Sequence, residues 1–415
     1  MRIVHVAGTN GKGSTCAMIA SALQAGGQRT GLFTSPHLAE PTERIQIDGA
    51  PVSAEIFAAA FDRVHAAVER LLADGRIDLH TTYFETVTAM ALVIFAGDLG
   101  PTSRVGQDST PQDLCEPVDI AVLEVGLGGR LDATNVVEPE LCVITPVDFD
   151  HEMYLGRSLE AIATEKAGIL KAGVPAVFAV QRPEAAAVLD TRAHQLTVRV
   201  ARTEAWRIQD LEMDARGSRF HLSGELELSI VCPLAGEHQV ENARTAAVAL
   251  TRFGVSTTAI TAGIASAHWP GRLERASESP EIILDGAHNP AGARALAAYI
   301  AQFYGGRRIT MIYGAMRDKA IDEIAGILFP LAERVIVTAP RQARALAPEA
   351  IRQVASHANL QTAATLEEAL EAARDAVSAE GGHATPVGAT AAPGVIFVTG
   401  SLFLVAEARA LLGLA

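Results

Sequence analysis

Short apolar runs alternate along this chain with stretches whose apolar residues recur at helical spacing. Residues 2–7 (RIVHVA) form a β-branched run that meets a glycine-rich turn at once, and small and apolar residues follow at helical spacing from Ser14 to Gln24. Strand, glycine turn and helix open a βα unit. A second run, Gly31 to Thr34, ends in Ser35-Pro36-His37, and helical stretches are predicted near 53–73 and 83–96. Residues 97–118 are polar and rich in Gly, Pro, Ser and Asp, which predicts a surface loop. Ile120 to Val125 and Leu141 to Thr145 are nearly continuous apolar runs bounded by turns, as expected of strands buried on both faces of a parallel sheet. Between 206 and 232 the period becomes two, with Phe220/Leu222 and Leu226/Leu228/Ile230, which predicts a small antiparallel sheet with one wet face.

After Trp269-Pro270-Gly271 the rhythm restarts. Apolar runs at 282–284, 309–313, 334–338 and 395–399 alternate with helical stretches at 291–303, 319–331, 347–357 and 366–378, the signature of a second α/β domain. The Pro-Gly pair divides the chain into residues 1–269 and 270–415. Residues 380–394 are of low complexity and are expected to form a flexible loop.

Composition narrows the classes. The 415 residues suit two or three domains at ~150 residues each, and 49% apolar with 20% charged residues is an ordinary globular balance. With 34 Lys+Arg against 48 Asp+Glu the net charge is −14, and no long basic run is present, so a nucleic-acid partner is not expected. Cys16, Cys115, Cys142 and Cys232 are far apart without a CxxC pair, which suits a reducing compartment. No apolar run reaches the ~18 residues of a membrane span, and MRIVHVAG has no signal-peptide pattern. A cytoplasmic protein with no membrane partner is expected.

The chemistry starts at Gly8-Thr9-Asn10-Gly11-Lys12-Gly13-Ser14, between the first strand and the first helix. Glycines let successive amides face one anion, and the helix N-terminus adds a favourable dipole. Lys12 can reach outer phosphates and Ser14 or Thr15 can face a metal ion, although Gly13 separates lysine from serine, unlike the standard Walker spacing. Glu124 ends an apolar run, where ligands bind in open α/β sheets, and is placed like a Walker B acid for Mg²⁺. Residues 158–171 read as a helix with Ser158 as N-cap. Leu159, Ile162, Lys166 and Leu170 share its apolar stripe, so Lys166 is either desolvated, with a depressed pKa and a nucleophilic amine, or snorkels off the edge. His151, a lone loop histidine, reads by itself as a surface residue. Tyr83 and Phe84 open a helix, where aromatics pack into cores more often than they meet ligands.

With its loop written AGTNGKGST, the chain resembles the Mur ligase superfamily and, within it, the folylpolyglutamate synthase/dihydrofolate synthase family. The motifs carrying the resemblance are TSPHL (34–38), TTYFE (81–85), EVGLGGRLDATN (124–135), DHEMYLG (150–156), EKAGI (165–169), EHQVENA (237–243), PGRLE (270–274), LDGAHNP (284–290), YGAMRDK (313–319) and VTGSLFLV (398–405). They span nearly the whole chain. The resemblance implies a P-loop NTPase-like ATP-binding domain followed by a Rossmann-like glutamate ligase domain. It implies a two-step reaction: ATP phosphorylates a substrate carboxylate, and the amino group of L-glutamate displaces phosphate. The acceptor would be dihydropteroate, tetrahydrofolate and its polyglutamates, or both, TTYFE and RLDATN leaning toward the bifunctional bacterial form. A cell-wall Mur ligase lacks TTYFE and typically carries a further N-terminal substrate domain. A P-loop ATP-binding module without ligation would not need the second-domain motifs.

Residue by residue, the resemblance assigns Ser35, Glu124, His151 and a carbamylated Lys166 to magnesium, with two ions expected. Asn10, Gly11, Lys12, Gly13, Ser14, Asn242, Arg272 and Asp285 match nucleotide contacts. Thr82, Tyr83, Phe84, Glu85, Leu131, Asp132 and Ala133 match pterin contacts. Lys12, Lys166, His151 and Arg272 are the expected catalytic set, and Arg272 would swing onto the phosphates from its hinge position. His288 and Asn289 are expected to line the site. Family members usually carry a few dozen residues ahead of the first strand, part of which contacts the pterin, whereas this sequence starts at that strand. They are mostly monomeric. Local sequence also offers Asp285 as a helix N-cap ahead of Pro290.

Overall fold

The computed structural model describes residues 1–99, 116–379 and 394–414. The expected loops at 97–118 and 380–394, and Cys115, fall largely or wholly outside them. The first sheet contains β1 (Arg2–Ala7), β2 (Thr30–Phe33), β3 (Ile45–Ile47), β4 (Ala50–Pro51), β5 (Ile120–Glu124), β6 (Leu141–Ile144), β7 (Ala176–Phe178) and β8 (Val200–Arg202). Their order is β4-β3-β2-β5-β1-β6-β7-β8, parallel from β2 to β8, with β3 and β4 antiparallel at one edge. The helices are α1 (Lys12–Ala25), α2 (Ala54–Ala73), α3 (Tyr83–Phe95), α4 (Glu152–Leu155), α5 (Leu159–Ala167), α6 (Pro183–Gln195), α7 (Glu237–Phe253) and α8 (Thr257–Ser266).

Both faces of this sheet are covered, which is why its strands are continuously apolar. Val4 and Val6 of β1 pack with α1, α7 and α8, whereas Ile3 points the other way, into the core under α2 and α3. Helices α5 and α6 cover the same second face further along, over Cys142 and Ile144. A separate antiparallel sheet, β9 (Arg207–Asp214), β10 (Gly217–Ser223) and β11 (Glu227–Cys232), closes the α1/α7/α8 side with Phe220, Leu222, Leu228 and Ile230. Its period-two pattern is thus one buried face and one wet face.

The third sheet runs β12-β13-β17-β14-β15-β16, comprising β12 (Glu274–Glu278), β13 (Glu281–Asp285), β14 (Ile309–Tyr313), β15 (Arg334–Val337), β16 (Leu360–Thr362) and β17 (Val395–Thr399). All neighbours are parallel except β12 with β13. One face carries α9 (Pro290–Tyr304), α10 (Ile321–Leu328) and α11 (Pro348–Val354), and the other α12 (Leu366–Ala379) and α13 (Leu402–Leu411). The inner strands β13, β14, β15 and β17 split their side chains between them: Ile283 faces the first core, Ile282 and Leu284 the second.

Three expected helices are shorter than their apolar patterns. The stretch at 319–331 starts at Ile321 and gives way to a 3₁₀ turn at Phe329–Leu331, where Pro330 removes an amide donor. The stretch at 347–357 ends at Val354. The stretch at 158–171 ends at Ala167 with Gly168 as its C-cap, packed so closely on Arg130 that a Cβ would overlap it. Leu170 is still buried, but as part of the turn that follows. Cys16, Cys142 and Cys232 are free and buried. Among the described residues no helix is long and apolar enough to cross a membrane.

Candidate active site

The carboxyl ends of β5, β1 and β6 lie side by side where the chain's crossovers change direction, the position at which open α/β sheets bind ligands. The glycine turn after β1 occupies it. Gly11 is left-handed (φ 83) and caps α1, and a Cβ there would overlap the Asn242 carboxamide. The loop is anchored by Thr9, whose amide donates to Pro146 O at 2.9 Å and whose Oγ1 donates to Asp148 O at 2.9 Å. Lys12 folds over the loop, with Nζ donating to Thr9 O at 3.1 Å. From α7, Gln239 Nε2 donates to Ser14 Oγ at 3.2 Å and Gln239 Oε1 accepts from Asn242 Nδ2 at 3.0 Å. Thr15 Oγ1 is buried without a hydrogen-bond partner.

Glu124 ends β5 and is buried; its Oε2 accepts the Ser35 amide at 3.1 Å. Burial pushes its pKa up, opposed first by Lys12, then by the Ser35 amide, Arg272 and Arg44. Lys166, also buried, donates from Nζ to Gly8 O at 2.7 Å, which settles the open question of its stripe: it points inward to the phosphate loop. Burial, helped by Lys12, pulls its pKa down to about 7. His151 adopts a left-handed conformation (φ 51) at the start of α4, its Nε2 3.8 Å from Asp150 Oδ1.

Asp150 is the hub joining the two halves. Its Oδ1 accepts from Lys319 Nζ at 2.9 Å and its Oδ2 from Asn289 Nδ2 at 3.0 Å, with His288 Nε2 at 3.7 Å. Burial works against its charge, yet His288, Lys319 and His151 outweigh it and hold the carboxyl well below the usual range. Asn289 Nδ2 also donates to Asn10 Oδ1 at 3.0 Å, so the start of α9 touches the phosphate loop. Asn289, not Asp285, is the N-cap of α9, its Oδ1 accepting from the Gly292 amide. Asp285 instead braces the hinge strand, accepting the Leu273 amide at 3.0 Å and the Ala287 amide at 2.9 Å. Burial lowers the pKa of Arg272, and the neighbouring charges of Asp285 and Glu124 oppose this.

These residues enclose a cavity of about 430 Å³ between the halves. Its wall includes Asn10 to Ser14, Ser35, Glu124, His151, Lys166, Asn242, Arg272 and Asp285. A second cavity, about 630 Å³, adjoins it through Ser35, Gly126 to Gly128, His151 and Leu402. Thr82, Phe84, Glu85, Leu131, Asp132 and Ala133 line it, together with Arg44, Lys319 and Arg344. The tip of the Phe84 ring abuts the Gly126 backbone, where a Cβ would overlap it, and the ring lies 5.9 Å from the Phe33 ring. Tyr83 is not in this wall; it is exposed, with the Arg44 guanidinium 5.4 Å from its ring. Asp132 holds the glycine loop, accepting the Leu127 amide at 2.9 Å and the Thr134 amide at 3.0 Å.

Residues 76–250 match the Mur ligase middle domain and residues 271–401 the Mur ligase glutamate ligase domain. The dihydrofolate synthase/folylpolyglutamate synthase of Mycobacterium tuberculosis is 34% identical over 99% of this chain and 86% of its own length. The chain belongs to the folylpolyglutamate synthase/dihydrofolate synthase family. As a member of this Mur ligase family it is an ATP-dependent amide ligase. The enzyme of that name from Bacillus subtilis is 38% identical over 77% of this chain and 72% of its own length. Among solved structures, M. tuberculosis folylpolyglutamate synthase complexed with ADP and AMPPCP superposes with a TM-score of 0.88 at 34% identity, covering 99% of this chain and 91% of that one. Escherichia coli FolC in complex with DHPP and ADP gives 0.82 at 30% identity, covering 99% and 88%. The fold expected from the motifs is therefore the family's fold.

Sequence reasoning passed over Asp150, Gln239 and Lys319. Each lies inside a quoted motif (DHEMYLG, EHQVENA, YGAMRDK), yet Asp150 and Lys319 pair across 169 residues and Gln239 reaches Ser14 across 225, so no local pattern shows those contacts.

Proposed function

We propose that this chain joins L-glutamate to dihydropteroate, to the glutamate tail of a tetrahydrofolate, or to both, through an acyl phosphate. The observation that supports the reading best is the meeting of the two cavities. One is built around a phosphate loop and the other around Phe84 and a glycine loop, and they share the wall of Ser35, Gly126 to Gly128 and His151. ATP in the first and a pteroate in the second would bring the γ-phosphate and the acceptor carboxylate to that wall.

The donor set suits magnesium in part as it stands. Glu124 and Ser35 offer oxygen, which Mg²⁺ prefers, His151 offers nitrogen, and Lys166 as an ammonium would repel the ion. Carbamylation of Lys166 removes that conflict by replacing a cation with a carboxylate. Two Mg²⁺ ions held by Ser35, Glu124, His151 and carbamylated Lys166 would supply charge neutralisation around the phosphates.

The acceptor carboxylate attacks the γ-phosphorus and ADP departs; the amino nitrogen of L-glutamate then attacks the acyl carbon and phosphate departs with the bonding electrons. Lys12 and the loop amides hold the phosphates through both steps. Arg272, beside Glu124 and Asp285, neutralises the transferring group as the second half closes, and Asn242 and Asp285 position the nucleotide. Thr82, Phe84, Glu85, Leu131, Asp132 and Ala133 hold the pterin, directly or through the loops they brace, and Tyr83 flanks them. We place the division between the halves at 269/270, after which every described strand belongs to the third sheet. The protein acts as a cytoplasmic monomer and takes no nucleic acid or membrane partner.

ATP hydrolysis measured with L-glutamate and either dihydropteroate or tetrahydrofolate tests this. Hydrolysis is expected only with glutamate and an acceptor together, and Lys12→Ala abolishes it with the circular dichroism of the fold retained. Hydrolysis without acceptor, or normal turnover in Lys12→Ala, would overturn the assignment.

A further inference from the structure

On the outer face of α2 three metal-ligating side chains converge. His65 and Glu69 are one helical turn apart on the same face, and His80 reaches them from the segment that leads into α3. Glu69 Oε1 lies 3.8 Å from His65 Nε2 and 3.5 Å from His80 Nε2. All three ligand atoms fall within 4.8 Å of one another. Metal–ligand bonds of about 2.0–2.1 Å in a tetrahedron place neighbouring donors ~3.4 Å apart, so small side-chain rotations complete the geometry.

The imidazoles are already aligned. The Phe61 ring stacks on His65 at 5.6 Å and 6°, and His65 stacks on His80 at 6.2 Å and 16°. Val64 and Val68 are buried beneath, which fixes this face of α2 outward. We propose that His65, Glu69 and His80 form a site for one divalent transition-metal ion of the zinc class, with water completing the coordination. Two imidazoles and a carboxylate favour Zn²⁺, Cu²⁺, Ni²⁺ or Co²⁺ over Mg²⁺ and Ca²⁺, so this site does not compete for the magnesium of the nucleotide cavity.

The site ties two segments together. His80 precedes Thr82, the N-cap of α3, by two residues, and Thr82, Phe84 and Glu85 line the larger cavity. An ion shared by α2 and His80 therefore clips the connection 74–82 against α2, next to that wall.

The test titrates metal-free full-length protein with Zn²⁺ against a chromophoric chelator, in excess Mg²⁺, for the wild type, His65→Gln/His80→Gln and Glu69→Gln. The wild type is expected to take up one more Zn²⁺ per chain than the double variant, with weakened uptake in Glu69→Gln. Cu²⁺ electron paramagnetic resonance should show coupling to two nitrogens that the double variant loses. Zn²⁺ should slow amide exchange in residues 76–82 of the wild type only. Equal Zn²⁺ uptake by the wild type and the double variant overturns the site, leaving a surface His/Glu cluster. Unchanged exchange in 76–82 overturns the clip.

Discussion

Lys166 shows what one buried side chain can set. Its amine is an ammonium in water, with an ordinary pKa of 10.5, and burial against the phosphate loop brings this down to about 7. A neutral amine can attack CO₂, forming the N–C bond and releasing a proton to give a carbamate. Because the folded-state pKa is depressed, the amine is available above about pH 7 and is protonated as pH falls through it. Native mass spectrometry in bicarbonate should therefore show the mass of one added CO₂ above pH 7, lost on acidification together with ligase activity. Between about pH 7 and 10.5 the unfolded chain binds more protons at this residue than the folded one, so its contribution to stability rises with pH across that window. Lys166→Met, of similar reach and without charge, should flatten that slope in denaturant titrations and abolish the adduct. An adduct-free wild type, or a slope unchanged in Lys166→Met, contradicts this account. The same residue marks a limit of sequence reading. Its place on the apolar stripe was legible, but whether the amine would snorkel or turn inward depended on Gly8 O, in a loop 158 residues away in sequence.

Helix α3 shows how local signals carry across to the site. Thr82 and Glu85 form a capping box: Thr82 Oγ1 accepts the Glu85 amide at 3.3 Å and Glu85 Oε2 accepts the Thr82 amide at 2.7 Å. Two residues that match pterin contacts are thus also the start signal of their own helix. Thr82→Ala should lower unfolding free energy by about 1 kcal/mol, read from the denaturant midpoint, and raise the KM for the pteroate more than that for ATP. An equal rise in both KM values would make the cap a matter of stability alone. Ser158 caps the helix expected after it, and the structure adds Ser53 and Thr82 as caps of the helices expected near 53–73 and 83–96. Where a pattern ran on but the backbone could not, the expectation was too long, as at Pro330. Short strands such as β7, β8 and β16 had too few residues to display a period and are strands because a neighbour pairs with them.

At the scale of the whole molecule the decisive feature is the joint between the halves. Asp150 lies in the first half, and Lys319, Asn289 and His288 reach it from the second. Asp150→Asn removes the nearer counter-charge of the Lys319 ammonium, leaving Asp318 at 3.9 Å, and should lower kcat/KM at least tenfold, about 1.4 kcal/mol of transition-state stabilisation, with a larger radius of gyration by small-angle scattering. A double-mutant cycle with Lys319→Met should show coupling; additive losses would mean that the pair does not hold the halves together. The same joint reconciles the charge of −14 with anionic ligands, because Lys12, Arg272 and the loop amides face the cavity, and local rather than summed charge governs what a cleft binds. The sequence by itself determined the α/β class, the phosphate loop, the restart after Pro270-Gly271 and part of the lining of both cavities, but not Asp150, Gln239, Lys319, Arg44 or Arg344, because periodicity, glycine turns and motifs are local in the chain. Only the tertiary structure decided that Lys166 faces the loop, that Asn289 and not Asp285 caps α9, that Asp150 joins the halves, and that His80 meets His65 and Glu69. The Lys166 and Asp150 contacts join segments more than a hundred residues apart, which meet only when the sheets stack their helices; the α9 cap and the His80 contact are short in sequence but depend on the path the backbone takes.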